Sequence, residues 1–325
     1  MTIRHPSPER PERTGPLAAV GDRAARGFRR IVSGRPDGSP EWVTALAEGD
    51  DEGYFGPGSA AWAVHGDLAT LVGGIRALLL QALHPAAVTG VDRHSTYRDD
   101  PLGRLAGTTR WLTVTTFGSR HAADREAARV RGMHRRVTGT FVGADGAERP
   151  YRAGDDDLLT WVHVAFTDSF LTAHERFGSA VVPGGADAYV AEWATAGRLV
   201  GVGDPPTTAA GLRARIDAYA PDLGRSEATA RTLAFLRRPP LPPPARAAYA
   251  VLLAGAVSTL DPGHRELLGL RHPRTPAART AAQVLLRGMR SVLGDGPPVA
   301  VNARRRIAAL DATPTPGPHR VPATE

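Results

Sequence analysis

The chain has 325 residues, of which 42% are hydrophobic and 22% charged, a composition typical of a globular protein with a substantial core. The absence of cysteine excludes disulfides, thiolate metal ligands, iron–sulfur clusters and a nucleophilic cysteine. The formal net charge is +7 and lysine is absent, but the arginines alternate with acidic residues instead of forming a basic stripe, so no nucleic-acid partner is expected.

The ends of the chain differ in composition from the rest. Residues 1–17 are rich in Pro, Arg and Glu, and both this arm and the tail at 311–325 are predicted to be disordered. No secretory signal is expected, and the most apolar run, 247–260, is shorter than the roughly 20 residues of a membrane span. We therefore expect a cytoplasmic protein without a transmembrane segment. Residues 18–310 are predicted to form a single all-α domain, with a candidate sub-domain junction at the proline-rich segment 237–244.

The hydrophobic periodicity predicts helices along almost the whole chain. Apolar residues recur at three- and four-residue steps from 59 to 83, which predicts one continuous central helix. Pro85 disfavours the helical conformation for His84, so His84 is expected at the end of that helix. A polar loop is predicted at 90–101, and a hairpin near 141–152 is the one candidate for strands. The other predicted helices lie at 16–32, 42–47, 102–117, 119–140, 155–177, 184–200, 209–219, 226–236, 245–260, 262–269, 276–292 and 302–310.

Potential ligands are concentrated between residues 81 and 138, where four of the eleven histidines lie. Arg104 and Thr108 have i, i+4 spacing on a predicted helix, so they share one face. A functional pair is one interpretation of this spacing, and a surface arginine bound to the acidic residues just before it is another. These four histidines are His84, His94, His121 and His134.

His134 lies one turn after Val130 on a predicted amphipathic helix, with Met133 beside it. The pattern predicts that Val130 and Met133 face inward. A histidine on the inward face of a helix is more often a hydrogen-bonded core residue than a ligand, so the residues alone leave both roles open. The same holds for His163 on the predicted helix 155–177 and for His84.

Several enzyme classes are excluded by missing motifs. The chain lacks H-E-x-x-H, Glu-x-x-His, G-x-S-x-G, the Walker A motif and the glycine fingerprint of dinucleotide-binding folds. Without C-x-x-C-H, a covalently attached haem is excluded as well. A non-covalent haem held by an axial histidine between apolar helices fits the remaining residues, and the arginines would suit its propionates. A purely structural helical chain fits almost as well.

Six blocks of sequence resemble, in the right order, the catalytic-domain family of MpaB and the latex-clearing (rubber) oxygenases, a domain long described as one of unknown function. Together they extend over roughly residues 60–240. The blocks are QALHPAAVTGVDRHS at 81–95, YRDDPLGRLAGTTRWL at 97–112, TFG at 116–118, RVRGMHRRVTG at 129–139, YRAGDDDLLTWVHVAFTDSFL at 151–171 and YVAEWATAGRLVGV at 189–202.

The resemblance implies a globin-like, all-α domain of about ten helices packed around non-covalent haem b. His134 matches the proximal iron ligand of the rubber oxygenases, and the R-x-x-x-T pair of that family is matched by Arg104 and Thr108, which would assist haem binding or oxygen handling. Rubber oxygenases have a distal lysine just before the threonine, and here that position is Gly107. Further residues expected to line the cofactor are Met133, His163 and His84.

The function that the resemblance implies is a haem-b oxygenase acting with O2 on a hydrophobic, isoprenoid-like small molecule. A haem-dependent oxidase or peroxidase-like enzyme of natural-product modification is an alternative on the same scaffold. A non-enzymatic haem-binding or helical interaction protein is the third. The sequence does not define the oligomeric state.

Overall fold

The computed structural model describes residues 40–95, 100–143, 145–270, 275–293 and 297–312. Within them the fold is all-α, as predicted, with fourteen α-helices and one two-stranded hairpin. The predicted disordered arm, the basic helix at 16–32 and residues 313–325 lie outside the described residues. The helices are α1 Glu41–Thr44, α2 Ala60–His65, α3 Thr70–Gln81, α4 Pro85–His94, α5 Pro101–Phe117, α6 Arg120–His134, α7 Asp156–Phe177, α8 Gly185–Val200, α9 Ala209–Ala218, α10 Glu227–Arg237, α11 Pro243–Ser258, α12 Pro262–Leu267, α13 Thr275–Leu293 and α14 Pro298–Ala312.

The centre of the fold is the packing of α3 along α7, the longest helix. Both helices are apolar on most sides, and Leu79, Leu80 and Trp161 are fully buried. The two backbones approach closely at Gly73, where a Cβ would lie 2.7 Å from the ring of Phe170. Glycine at this position therefore sets the distance between the central helices.

Helices on both sides of the proline-rich connector contribute to one buried cluster. Leu252 and Ala256 of α11 belong to the same hydrophobic cluster as Leu79 and Leu80 of α3. The connector itself is short, because α10 ends at Arg237 and α11 begins at Pro243.

The prediction of one continuous helix over 59–83 is wrong. The chain breaks after His65, and α3 begins only at Thr70. At the break the buried carboxylate of Asp67 accepts hydrogen bonds from the backbone N–H groups of Ala69 and Ser179, at 2.7 and 2.9 Å, and pairs with Arg290 at 2.6 Å. These bonds stabilise the break, although the apolar periodicity continues through it.

The predicted polar loop at 90–101 is in part helical. Helix α4 extends to His94, and Pro85 occupies its first turn, where a proline costs no hydrogen bond. His84 precedes it in an extended conformation (φ −88°, ψ 113°), as Pro85 predicts. The buried Asp92 of α4 accepts hydrogen bonds from Arg231 of α10, which fixes this helix against the domain.

The helix predicted over 119–140 ends at His134, and the chain turns into a hairpin. Strand β1, Thr138–Val142, pairs antiparallel with β2, Glu148–Arg152, so the predicted hairpin is confirmed with an earlier start. The run from Val137 to Val142 is rich in β-branched residues, which favour a strand. Tyr151 packs between Gly90 of α4 and Gly139 of β1, where a Cβ would come within 3.4 and 3.0 Å of its ring.

Candidate functional site

Helices α5 and α6 form an antiparallel pair that carries most of the predicted site residues. Helix α5 begins at Pro101, after Asp100, whose carboxylate accepts a hydrogen bond from the N–H of Gly103. It ends at Gly118. The Ser119 hydroxyl then accepts a hydrogen bond from the N–H of Ala122 and caps α6. The bend between the two helices is therefore only two residues long.

A buried carboxylate fixes the register of the two helices. Glu126 of α6 is 2% exposed and accepts hydrogen bonds from Arg110 of α5 at 3.0 Å and from Arg129 at 2.6 Å. Charge-assisted hydrogen bonds of this kind are stronger than neutral ones. The periodicity around Val130 places Glu126 on the inward face, but only the structure identifies its partner on α5.

The register places Arg104 and His134 at the same end of the helix pair. Arg104 lies six residues before Arg110, and His134 lies eight residues after Glu126. At a rise of 1.5 Å per residue, both are about 9 to 12 Å beyond the Arg110–Glu126 link, on the side away from the bend. We call this side the open end of the α5–α6 pair.

His134 is the last residue of α6 and is half-buried. It continues the buried stripe formed by Ala123, Ala127 and Val130, at three- and four-residue steps. Met133 is 41% exposed, so the expectation that it faces inward is wrong, because one residue of helix rotates the side chain by about 100° from His134. Thr108, on the facing helix, is half-buried.

His163 lies where α6, α7 and α8 meet. Its ring is buried against Gly197 of α8, where a Cβ would come within 2.9 Å of it. Arg131, one turn before His134, donates a hydrogen bond to the Leu199 carbonyl oxygen of the same helix α8. Burial, with a smaller contribution from Arg198, lowers the pKa of His163 to about 4. Within the described part of the chain its buried Nε2 has no hydrogen-bond partner.

His84 belongs to a separate aromatic group. Its ring centroid lies 6.0 Å from that of Trp161 and 6.1 Å from that of Tyr219, whose hydroxyl donates to the Asp157 carbonyl oxygen at 2.8 Å. Burial lowers the pKa of His84. No described residue hydrogen-bonds to the buried Nδ1 of His84 or the buried Nε1 of Trp161. The structure therefore brings His84 together with Trp161.

The residues at the open end fit a haem held by one imidazole. A Cβ on Gly107 would meet no heavy atom within 4 Å, so the face of α5 beside Thr108 borders open space. On α6, a Cβ on Gly132 would approach only the end of the Arg135 side chain, at 3.6 Å. A half-buried imidazole beside open space is compatible with a haem held by one axial histidine, and Arg104 on α5 is the candidate partner of its propionates.

Metal-ligand clusters and surface pockets were the other candidates for a functional site in the described residues. Residues 40–95, 100–143, 145–270, 275–293 and 297–312 contain no group of three or more His, Cys, Asp or Glu side chains able to hold a metal ion. Two surface pockets, of about 520 and 620 Å³, lie around α11 and α12, and no predicted site residue lines either of them.

In the described ranges no single helix is long and apolar enough to cross a membrane, although α3 and α4 together, bent by 108°, pass the same test by length and composition.

A model of the family described as the ER-bound oxygenase mpaB/B′ and rubber oxygenase catalytic domain matches residues 62–293. The chain belongs to this family. The match extends from α2 to α13 and contains all six sequence blocks. It makes the chain an oxygenase-type oxidoreductase that uses O2 and a small-molecule substrate. No curated protein and no solved structure gave a significant match to this chain. Helices α1 and α14 lie outside the matched range.

Proposed function

We propose that this member of the MpaB/rubber-oxygenase family is a haem b-dependent oxygenase acting with O2 on a hydrophobic, isoprenoid-like small molecule, with His134 holding the iron. The proposal is carried by the position of His134, which ends the buried stripe of α6 at the open end of the α5–α6 pair. Membership in an oxygenase catalytic-domain family supports the reaction class.

His134, Thr108 and Arg104 are the residues that would hold the cofactor. A neutral imidazole is a common axial ligand of haem iron, and a guanidinium is a suitable partner for a propionate carboxylate. When bound, haem supplies an iron centre at which O2 is activated for transfer to the substrate.

The surrounding residues control access to the imidazole and to the substrate. Val130 lies one turn before His134 on the buried stripe of α6 and would shield one side of the imidazole from water. The chain has no lysine, and Gly107 leaves Thr108 as the polar group beside open space on α5. Few polar groups beside the cofactor would favour an apolar substrate.

The absorption spectrum of the purified protein, produced with a haem precursor, tests the proposal. We expect a Soret band in the wild type that weakens or shifts in His134→Ala. His121→Ala is the matched control, because His121 is an exposed histidine on the same helix, and its spectrum should match the wild type. A colourless wild-type protein with normal helicity would refute the haem assignment and leave the family match as a statement about fold and reaction class.

Isotopically labelled O2 tests the reaction type once a substrate has been found by screening. An oxygenase incorporates the label into its product, whereas a haem-dependent oxidase of the same fold transfers it to water or peroxide. An unlabelled oxidised product would replace the oxygenase proposal with the oxidase alternative.

A further inference from the structure

A buried arginine from the C-terminal helix binds the bend between α5 and α6. Arg306 of α14 is 1% exposed. Its guanidinium donates to the backbone carbonyl oxygens of Leu46 at 2.7 Å, Phe117 at 2.9 Å, Asp51 at 3.0 Å and Glu52 at 3.3 Å. We call these four oxygens the carbonyl cage. Burying a guanidinium is costly unless its donors are satisfied, and here each of its three nitrogens has a carbonyl acceptor.

The carbonyl cage joins two segments that are distant in sequence. Phe117 is the last residue of α5, where the carbonyl end of the helix dipole favours a cation. The other three carbonyls belong to the segment 46–52. Arg306 therefore connects α14, the segment before α2 and the end of α5.

The same segment binds the start of α6. The Asp51 carboxylate accepts a hydrogen bond from the N–H of Arg120 at 2.9 Å, at the helix end that favours an anion. The segment approaches the bend so closely that two of its positions require glycine. At Gly49 (φ +130°) a Cβ would lie 2.6 Å from the Ser119 Cβ, and at Gly53 (φ +91°) a Cβ would collide with the Gly118 carbonyl oxygen. Both helices are thus fixed at the bend by groups of the sign that their dipoles favour.

The bend and the open end are parts of the same two helices. His134 lies sixteen residues after Gly118, or about 24 Å along α6 at the helical rise. A change in the angle between the helices at the bend therefore displaces His134 relative to Thr108. Both Arg306 and the segment 46–52 lie outside the range matched by the family, 62–293.

We propose that Arg306 is a positioning residue, a cation tethered by α14 whose carbonyl cage fixes the bend of the α5–α6 pair and so holds Thr108 and His134 in register at the open end. Its effect on the cofactor rests on the proposed function. Its effect on the two helices does not, so the two proposals can fail separately.

Chemical rescue of Arg306→Ala tests the carbonyl cage. We expect the amides of Ala122 and Ala123 at the start of α6, and those of 130–134 at the open end, to exchange hydrogen about tenfold faster than in the wild type, as loss of hydrogen bonds to a charged group implies. Millimolar ethylguanidinium should restore slow exchange, because its planar fork matches several carbonyls. Ethylammonium of similar size should not restore it.

Two further variants complete the design. Arg305→Ala is the matched control, since Arg305 is exposed on the same helix, and it should behave like the wild type. If Arg306→Ala does not fold, Arg306→Lys takes its place, because a single ammonium reaches only part of the carbonyl cage, and amide exchange at the same positions should again increase.

A measurement of haem loss distinguishes positioning of Thr108 and His134 by Arg306 from a general stabilisation of the fold. Haem transfer to an excess of apomyoglobin should be about tenfold faster from Arg306→Ala than from the wild type. Ethylguanidinium should restore the slow rate of haem loss at the same concentrations at which it restores slow amide exchange. Unchanged exchange at 130–134, or equal rescue by ethylammonium, would overturn the proposal. Faster exchange with unchanged haem loss would also overturn it. If the wild type takes up no haem, the proposed function fails, and the exchange data still decide the role of Arg306.

Discussion

Buried histidines, among them His65, His84 and His163, distinguish the interior of this protein at the scale of single residues. His65 hydrogen-bonds to the Tyr189 hydroxyl at 3.1 Å and packs between aromatic rings, and burial lowers its pKa to about 3. Burial also lowers the pKa of His163, to about 4, and the pKa of His84. All three are therefore neutral at pH 7, as a histidine must be to serve as an acceptor or ligand.

The buried histidines make folding stability depend on pH. The folded pKa of His163, about 4, lies below the ordinary value of 6.5, so the unfolded chain binds the proton first as the pH falls. The contribution of the neutral His163 to the free energy of unfolding is complete above pH 6.5 and is lost as the pH falls toward 4. The loss is about 1.4 kcal/mol per pH unit for each such histidine. Between pH 7 and 4.5, His163→Gln should lose about 2 kcal/mol less stability than the wild type in urea unfolding.

His121→Gln provides the comparison for this experiment. His121 is exposed on α6, and its replacement removes one histidine without changing the buried ones. An equal loss in the wild type and His163→Gln would mean that His163 becomes protonated within the folded protein.

Single residues were predictable from sequence where the cause is local. Pro85 displaces His84 from the helix through a contact between neighbours, and the hydroxyl of Ser119 caps the helix that follows it. The partner of Glu126 was not predictable, because Arg110 lies sixteen residues earlier and on another helix. The inward position assigned to Met133 failed because the buried stripe of α6 is narrow and centres on Val130 and His134.

At the scale of elements, glycines distinguish helix surfaces that touch from surfaces that face open space. Gly73 lies in the contact between α3 and α7, and Gly107 lies beside Thr108 on α5. A Cβ would meet the Phe170 ring at 2.7 Å at the first position and nothing within 4 Å at the second.

The two alanine substitutions should therefore change stability in opposite directions. Gly73→Ala should lower the free energy of unfolding by about 1 to 3 kcal/mol through overpacking. Gly107→Ala should raise it by about 0.5 to 1 kcal/mol, because alanine is the better helix former. Urea unfolding of both variants measures the difference, and a stabilised Gly73→Ala would show that α3 and α7 are not in close contact.

Most helix boundaries were predictable because glycine or proline marks them. Gly118, Gly178 and Gly201 end their helices as expected. The break at Asp67 was not predictable, since the residues that bind its carboxylate, Ser179 and Arg290, lie 112 and 223 positions away in sequence. Helix α4 was missed because its polar second half resembles a loop.

At the scale of the whole molecule, helices before and after the proline-rich connector share a buried cluster. All five tryptophans, at 42, 62, 111, 161 and 193, precede the connector, whereas helices lie on both sides of it. Tryptophan fluorescence therefore reports only the first part, and far-UV circular dichroism reports both.

We expect fluorescence and circular dichroism to give the same urea midpoint, because a shared core makes unfolding cooperative. A circular dichroism transition with a second step absent from the fluorescence would show that the connector separates two independently folding parts. Leu252→Ala, in α11, extends the test: its destabilisation, about 2 to 5 kcal/mol, should move the fluorescence midpoint although no tryptophan lies in that helix.

The positive φ angles at Gly49 and Gly53 limit how much the sequence of the surrounding segment can change. Loops usually tolerate substitution and insertion more readily than helices do. The segment 46–53 is not free in this way, because two left-handed glycines, the Asp51 carboxylate and three caged carbonyls each depend on its backbone path. We therefore expect substitutions and insertions in this segment to be tolerated as poorly as those in the hydrophobic core, both in natural relatives and in engineered variants.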